Sequence, residues 1–183
     1  MRKLISSVLE IVEVALVAIG TVFLIRNFLF QPFLVSGASM VPNYSDGDYL
    51  LIDELTYRLR SPERGEVVVF RYPKDETTYF IKRIIALPGE RVTIEGDAIT
   101  VFAPGSDKGT VLHEEYLSPS SMTGGYLETT LAAGEYFVLG DNRSFSYDSR
   151  NWGTLHARYM VGLARLRLWP LTEIRAFAAP LYQ

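Results

Sequence analysis

The sequence of 183 residues predicts a mostly β domain preceded by one amino-terminal transmembrane helix. Three observations carry that reading: an apolar run at the start of the chain, a series of short segments rich in β-branched and aromatic residues, and Gly, Pro and Asp clusters between them.

After Arg2 and Lys3, residues 4–25 are apolar apart from Ser6, Ser7, Glu10, Glu13 and Thr21. As a helix rising ~1.5 Å per residue, this run reaches roughly 33 Å, close to a bilayer core. Glu10 and Glu13 are three apart and share a face, at headgroup depth or against a partner helix, and residues 14–25 form the uncharged stretch. A cleaved signal peptide and a soluble amphipathic helix are the alternatives, although no small-residue cleavage site precedes a polar start. Arg2 and Lys3 place the amino terminus in the cytoplasm by the positive-inside tendency, and everything after about residue 27 outside. The expected division is 1–26 for the cytoplasmic terminus and anchor and 27–183 for an extracytoplasmic β domain, with a small insertion lobe around 103–133.

Strands are expected over 49–52, 66–72, 78–87, 91–102, 135–139 and 159–169. Within 91–102, Glu95-Gly96-Asp97 separates two alternating apolar runs and predicts a hairpin. The 103–133 stretch is rich in Gly, Ser and Thr and only weakly periodic, which is why it reads as an insertion.

Composition narrows the chemistry. Lys plus Arg number 18 against 21 Asp plus Glu, a formal net charge of −3, without the basic surplus of a nucleic-acid binder. Hydrophobic residues at 48% suffice for a packed core. Cysteine is absent, which excludes disulfides, thiolate zinc sites and cysteine nucleophiles. His113 and His156 are the only histidines and there is no HExxH pattern, so no metal is expected. Hydroxyl, carboxylate and amine chemistry remain.

Ser36-Gly37-Ala38-Ser39-Met40-Val41-Pro42 places small residues and a hydroxyl where a backbone can approach a ligand, although taken alone the segment reads first as a plain turn into the domain. A serine needs a base before it becomes a nucleophile. Of the four lysines, Lys82 alone sits in an apolar strand, with Phe80 and Ile84 on its own face and Arg83 on the other. Apolar surroundings disfavour the charged amine and lower its pKa towards that of a general base; the bland alternative is a lysine snorkelling from a strand edge. The polar segment 140–153 offers Asp148 and Arg150 as a charge-assisted pair and the Ser146 hydroxyl to orient an amine, or is simply a well-capped loop. A Ser-His-Asp triad would have to recruit His113 or His156, both of which read as surface or structural residues. No segment concentrates carboxylates around an aromatic cleft, and no phosphate-binding glycine motif is present.

Together these clusters resemble the bacterial type I signal peptidases, membrane-bound serine proteases that remove signal peptides from exported proteins. The resemblance rests on the anchor, Ser-Met-x-Pro at 39–42, Gly47-Asp48, Arg-Gly-Glu-Val-Val-Val-Phe at 64–70, Ile81-Lys82-Arg83 with Leu87-Pro88-Gly89, and Gly140-Asp141-Asn142-Arg143 through Asp148-Ser149-Arg150. It implies a signal-peptidase-like β catalytic domain in which Ser39 is the nucleophile and Lys82 the general base that later returns its proton to the leaving amine. It further implies that Ser146 orients the Lys82 amine, that Asp148 and Arg150 form a supporting ion pair, and that Gly140 and Asp141 open the same structural box. The Ser39 backbone N–H is the implied oxyanion donor, a contribution of ~2.7–4 kcal/mol in related chemistry. Gly37 stands where some members carry a serine and Ser36 is one place further off, so the second donor stays unassigned.

By the same resemblance, Phe33, Val35, Met40 and Ile81 match the shallow apolar pockets of relatives, which implies cleavage after small, Ala-x-Ala-like residues. The implied partners are the signal peptides of exported preproteins, the lipid bilayer of the cell membrane and the protein translocation machinery, with no nucleic acid and no cofactor. Two rivals are a membrane-anchored β domain that binds extended peptides without cleaving them, and a self-cleaving serine–lysine protease like the SOS-type repressors. An anchor in place of a DNA-binding head speaks against the second.

Overall fold

The computed structural model describes residues 2–28 and 30–180, with side chains described for Ser7, residues 9–22 and residues 31–180. The chain opens with α1 (Arg2–Phe28). Twelve strands follow among the described residues: β1 (Phe30–Leu34), β2 (Tyr49–Asp53), β3 (Val67–Tyr72), β4 (Asp75–Ala86), β5 (Arg91–Glu95), β6 (Ala98–Phe102), β7 (Gly109–Val111), β8 (Tyr126–Thr130), β9 (Glu135–Leu139), β10 (Leu155–His156), β11 (Met160–Trp169) and β12 (Arg175–Ala176). Short helices α2 (Thr56–Leu59) and α3 (Ser149–Trp152) cap the loops after β2 and β9. The mostly β fold class is therefore observed.

Among the described residues no helix is long and apolar enough to cross a membrane. The apolar run at 4–25 expected to do so extends onto residues whose side chains lie outside the description. What is described of α1 is apolar and exposed: Leu9, Ile11, Val14, Leu16, Val17, Ile19 and Val22 all face away from the protein, as do Glu10 and Glu13.

An eight-stranded antiparallel sheet runs in the order β1-β2-β11-β3-β4-β9-β10, with β12 added to β11. A second, four-stranded sheet has the order β7-β6-β5-β8. The expected hairpin over 91–102 is β5 and β6, which close on the pair Glu95 and Ala98. Gly96 takes φ +60 in its two-residue turn, a conformation open to glycine without a Cβ penalty. Residues 103–133 supply β7 and β8, which flank that hairpin on either side.

Strand β4 begins at Asp75, earlier than the apolar signal at 78. Its first turns are an exposed hairpin arm in which the Asp75 carboxylate accepts from the Thr77 and Thr78 hydroxyls at 2.6 and 2.7 Å, a local bond that hydropathy does not reveal. Its second half is buried on both faces. One face meets Val68, Phe70 and Val138; beyond it, Ile85 and Ala86 join Val92, Ile94, Val101 and Phe137 to weld the small sheet to the large one. A strand packed on both sides has nowhere solvated to put a charge. Both Lys82 and Arg83 nevertheless lie there, 3% and 5% exposed.

Candidate active site

Lys82 is held by strand geometry. It pairs with Val68 across the sheet, so its side chain leaves on the same face as Phe80 and Ile84, and its Nζ lies 5.3 Å from the Phe80 ring centroid. Ser39 arrives from the loop between β1 and β2. That loop is pinned by Val35, which exchanges backbone bonds with Asp48 and Gly47 at 2.9 and 3.0 Å, and by Met40, whose side chain is buried with Val35, Leu50 and Val69. With Met40 turned inward, its neighbour Ser39 faces the cleft. Lys82 Nζ and Ser39 Oγ are 2.7 Å apart, and Nζ also donates to the Ile81 carbonyl at 2.8 Å.

In the ammonium form the amine donates to Ser39 Oγ; neutral, it accepts the hydroxyl proton along the same line. Burial pushes the Lys82 pKa down from 10.5 to about 8, against the opposing pull of Asp148 and then Asp141. The net shift brings proton loss by this amine down to about pH 8.

The loop after β9 closes the site from the other side. Asp148 caps α3 and is fully buried, accepting from the Gly140 N–H at 3.1 Å and from Arg150 Nε at 2.9 Å. Arg150 spans the loop, donating to the carbonyls of Thr123 and Arg143 at 2.8 and 2.6 Å. The Asp148–Arg150 pair read from sequence thus ties the loop together.

Gly140 allows close approach: a Cβ there would meet Ser146 Oγ at 2.2 Å and the Ser39 carbonyl at 2.4 Å. Ser146 is brought beside Gly140 and the Ser39 backbone, but its buried hydroxyl makes no hydrogen bond among the described residues. The expected Ser146–Lys82 bond is not formed; Lys82 spends its bonds on Ser39 and Ile81.

Asp141 receives Arg83 in a two-pronged pair at 2.8 and 2.6 Å, with Asn43 as a third donor at 2.8 Å. Sequence reasoning placed Arg83 on the far face of β4 and gave it no partner. The signal was available, because an arginine alternating with a buried lysine on a two-sided strand requires its own carboxylate. Arg143, also buried, pairs with Glu114 and bonds Thr123, and this network drew no attention in the sequence since its members lie 29 and 20 residues apart.

A cleft of about 330 Å³ opens beside Ser39 and Lys82, walled by Phe33, Val35, Tyr79 and Ile81. Phe33, Val35 and Ile81 sit where the sequence expected pocket walls. Met40 does not: it is 1% exposed, packs into the core and is not part of the cleft lining, because the turn that presents Ser39 points its neighbour inward. The Gly37 N–H is taken by Asp46 Oδ1 at 2.7 Å, and Ser36 is exposed. His156 accepts from the Arg158 N–H at 3.2 Å and His113 is exposed; neither borders the cleft.

A family model described as signal peptidase, peptidase S26, matches residues 8–169. The chain belongs to the signal peptidase family. The signal peptidase I P of Bacillus subtilis subsp. natto is 32% identical over 180 residues, covering 93% of this chain and 94% of that protein. The signal peptidase I of Bacillus licheniformis is likewise 32% identical over 180 residues, covering 93% of each. A crystal structure of a signal peptidase I from Enterococcus faecalis aligns at a TM-score of 0.48 and 28% identity, covering 57% of this chain and 97% of that one. As a member of peptidase family S26, this signal peptidase is a serine peptidase, and its cleft holds a serine and a lysine side chain in contact.

Proposed function

We propose that the protein is a membrane-anchored endopeptidase that removes amino-terminal signal peptides from exported preproteins, with Ser39 as nucleophile and Lys82 as general base. The 2.7 Å approach of a buried Lys82 amine to the Ser39 hydroxyl carries this reading. The neutral amine takes the Ser39 proton as Oγ attacks the scissile carbonyl carbon. The backbone N–H of Ser39 donates to the resulting oxyanion. Lys82 then passes the proton to the leaving nitrogen, the C–N bond breaks, and an acyl-serine remains. Water, deprotonated by the same amine, hydrolyses that ester and regenerates the serine.

Ser146, adjacent to Gly140 and the Ser39 backbone, orients the amine when substrate closes the cleft, and Asp148 with Arg150 holds the loop that carries it. Phe33, Val35 and Ile81 leave a shallow apolar space beside the nucleophile, which selects small residues in an Ala-x-Ala-like pattern. Loss of that selectivity in Ile81→Ala is the expected sign.

The exposed apolar side chains of Val14, Leu16, Val17, Ile19 and Val22 support residues 1–26 as the anchor, because a helical stretch apolar on all sides needs a nonaqueous partner. The amino terminus lies in the cytoplasm, and residues 27–183 form the catalytic domain on the far side of the cell membrane, where confinement raises the effective concentration of emerging cleavage sites. Glu10 and Glu13 face a partner of the translocation machinery; unchanged processing after their joint replacement by leucine would remove that contact.

The deciding experiment incubates the purified protein with a labelled preprotein and locates the new amino terminus by mass spectrometry. Cleavage after an Ala-x-Ala site that disappears in both Ser39→Ala and Lys82→Met supports the reading. Full activity in Lys82→Met, or retention of an intact preprotein by the wild type, overturns it.

A further inference from the structure

A second cavity of about 300 Å³, separate from the apolar cleft, is bounded by Pro42, Ser118, Ser120, Ser121, Asn142 and Phe145. Phe145, 78% exposed, borders both spaces. Asn142 joins this cavity to the nucleophile: its backbone N–H donates to the Ser39 carbonyl and its side chain to the Ala38 carbonyl, each at 3.0 Å. Pro42 follows Ser39 by three residues. Phe145 and Asn142 thus bring this space within reach of a peptide that lies in the apolar cleft with its scissile bond at Ser39 Oγ.

The second cavity keeps apolar walls in Val41, Pro42 and Phe145 and adds serine hydroxyls to them. The turn Ser118-Pro119-Ser120-Ser121 carries these; the Ser118 and Ser120 hydroxyls lie 3.0 Å apart, and the turn closes with a Ser121 N–H to Ser118 carbonyl bond at 2.8 Å. Asp141 also lines it, but its charge is matched by Arg83. The turn is clamped on both sides. Before it, Glu114 pairs with buried Arg143 and the Tyr116 carbonyl accepts from Asn43 at 2.9 Å; after it, Thr123 accepts from Arg143 and Arg150. Two buried or half-buried arginines of the catalytic loop thus hold a hydroxyl-bearing turn at a set place beside the nucleophile.

We infer that the Ser118–Ser121 turn and Asn142 form the subsite for the first residues of the mature chain, the segment released as the leaving amine, and that their hydroxyl and amide groups favour small or polar side chains there over bulky apolar ones. This rests on the peptidase reading above. It gives a function to part of the 103–133 segment. An apolar side chain strips water from these hydroxyls and gives no hydrogen bond in return, which is the physical source of the discrimination.

The test compares two substrates that share an Ala-x-Ala acyl side, one ending in an aryl amide and one continuing for several residues with Ser or Leu at the positions after the scissile bond. The wild type is expected to cleave the Ser-bearing peptide about tenfold faster in kcat/KM than its Leu counterpart. In the triple variant S118A/S120A/S121A that preference collapses, and in Ser120→Trp the ratio of extended-peptide to aryl-amide turnover falls about tenfold. A preference and a ratio that do not move in either variant overturn the subsite. A wild type inert to both substrates overturns instead the peptidase reading on which it depends.

Discussion

Gly140 stands so close to Ser146 that a β-carbon on the glycine would lie 2.2 Å from the serine hydroxyl and 2.4 Å from the Ser39 carbonyl. The absent side chain is what lets the loop after β9 close onto the Ser39 backbone. The Ser146 hydroxyl could rotate away from an added methyl, but the Ser39 carbonyl belongs to the main chain and cannot.

Gly140→Ala therefore moves Ser39 relative to Lys82. The expected cost is about 1–3 kcal/mol of stability by overpacking, with a larger loss in turnover than in folding. Denaturant unfolding and kcat on a preprotein measure the two separately; unaltered turnover would contradict the packing argument.

The role proposed for Lys82 predicts a pH-dependent activity. With its pKa lowered to about 8, kcat/KM rises as pH increases through that value, because only the neutral amine accepts the Ser39 proton. A profile flat between pH 6 and 9 would exclude Lys82 as the base.

The same shift has a stability consequence of definite sign. The unfolded lysine keeps its proton up to about 10.5 and the folded one only to about 8, so folding of the wild type is penalised below 8 and the penalty fades as pH rises towards 10.5. Lys82→Met removes it. The inactive variant is expected to be more stable at pH 7 by on the order of 2–3 kcal/mol, a gain that shrinks at alkaline pH in thermal melts.

Ser146→Ala separates activity from folding. Its hydroxyl is buried without a hydrogen-bond partner among the described residues, so removal leaves stability within about 0.5 kcal/mol of wild type or raises it. Turnover falls at least about tenfold if the hydroxyl orients the Lys82 amine, in line with the worth of a positioned group. Equal turnover in the two proteins would leave Ser146 a filler.

Glu114→Gln strands the Arg143 guanidinium, which is fully buried. A destabilisation of about 3 kcal/mol is expected in urea unfolding, whereas the double variant E114M/R143M recovers most of it. A single-variant cost under about 1 kcal/mol would show that the pair holds little.

Much of the site was legible because its chemistry is written in local contrasts. A lysine between Phe80 and Ile84, a serine in a stretch of small residues, and Asp148 two positions from Arg150 all stand out against their neighbours. The Arg83–Asp141 pair was not legible, since 58 residues separate the partners, nor was the Arg143–Glu114 pair. Met40 came from the family resemblance, and a matching position does not say that the turn presenting Ser39 buries the next side chain.

Sequence alone determined the strand-rich character of the chain, its apolar leading segment and the residue types available for chemistry, because hydropathy period, turn residues and composition are properties of neighbours along the chain. Only the tertiary structure decided that the Ser39 hydroxyl and the Lys82 amine meet, that the Ser146 hydroxyl has no bond among the described residues, and that residues 103–133 divide between a second sheet and a serine-bearing turn beside Asn142. Those are contacts between segments far apart in sequence, and they are set by the pairing of strands and the matching of buried charges across the fold.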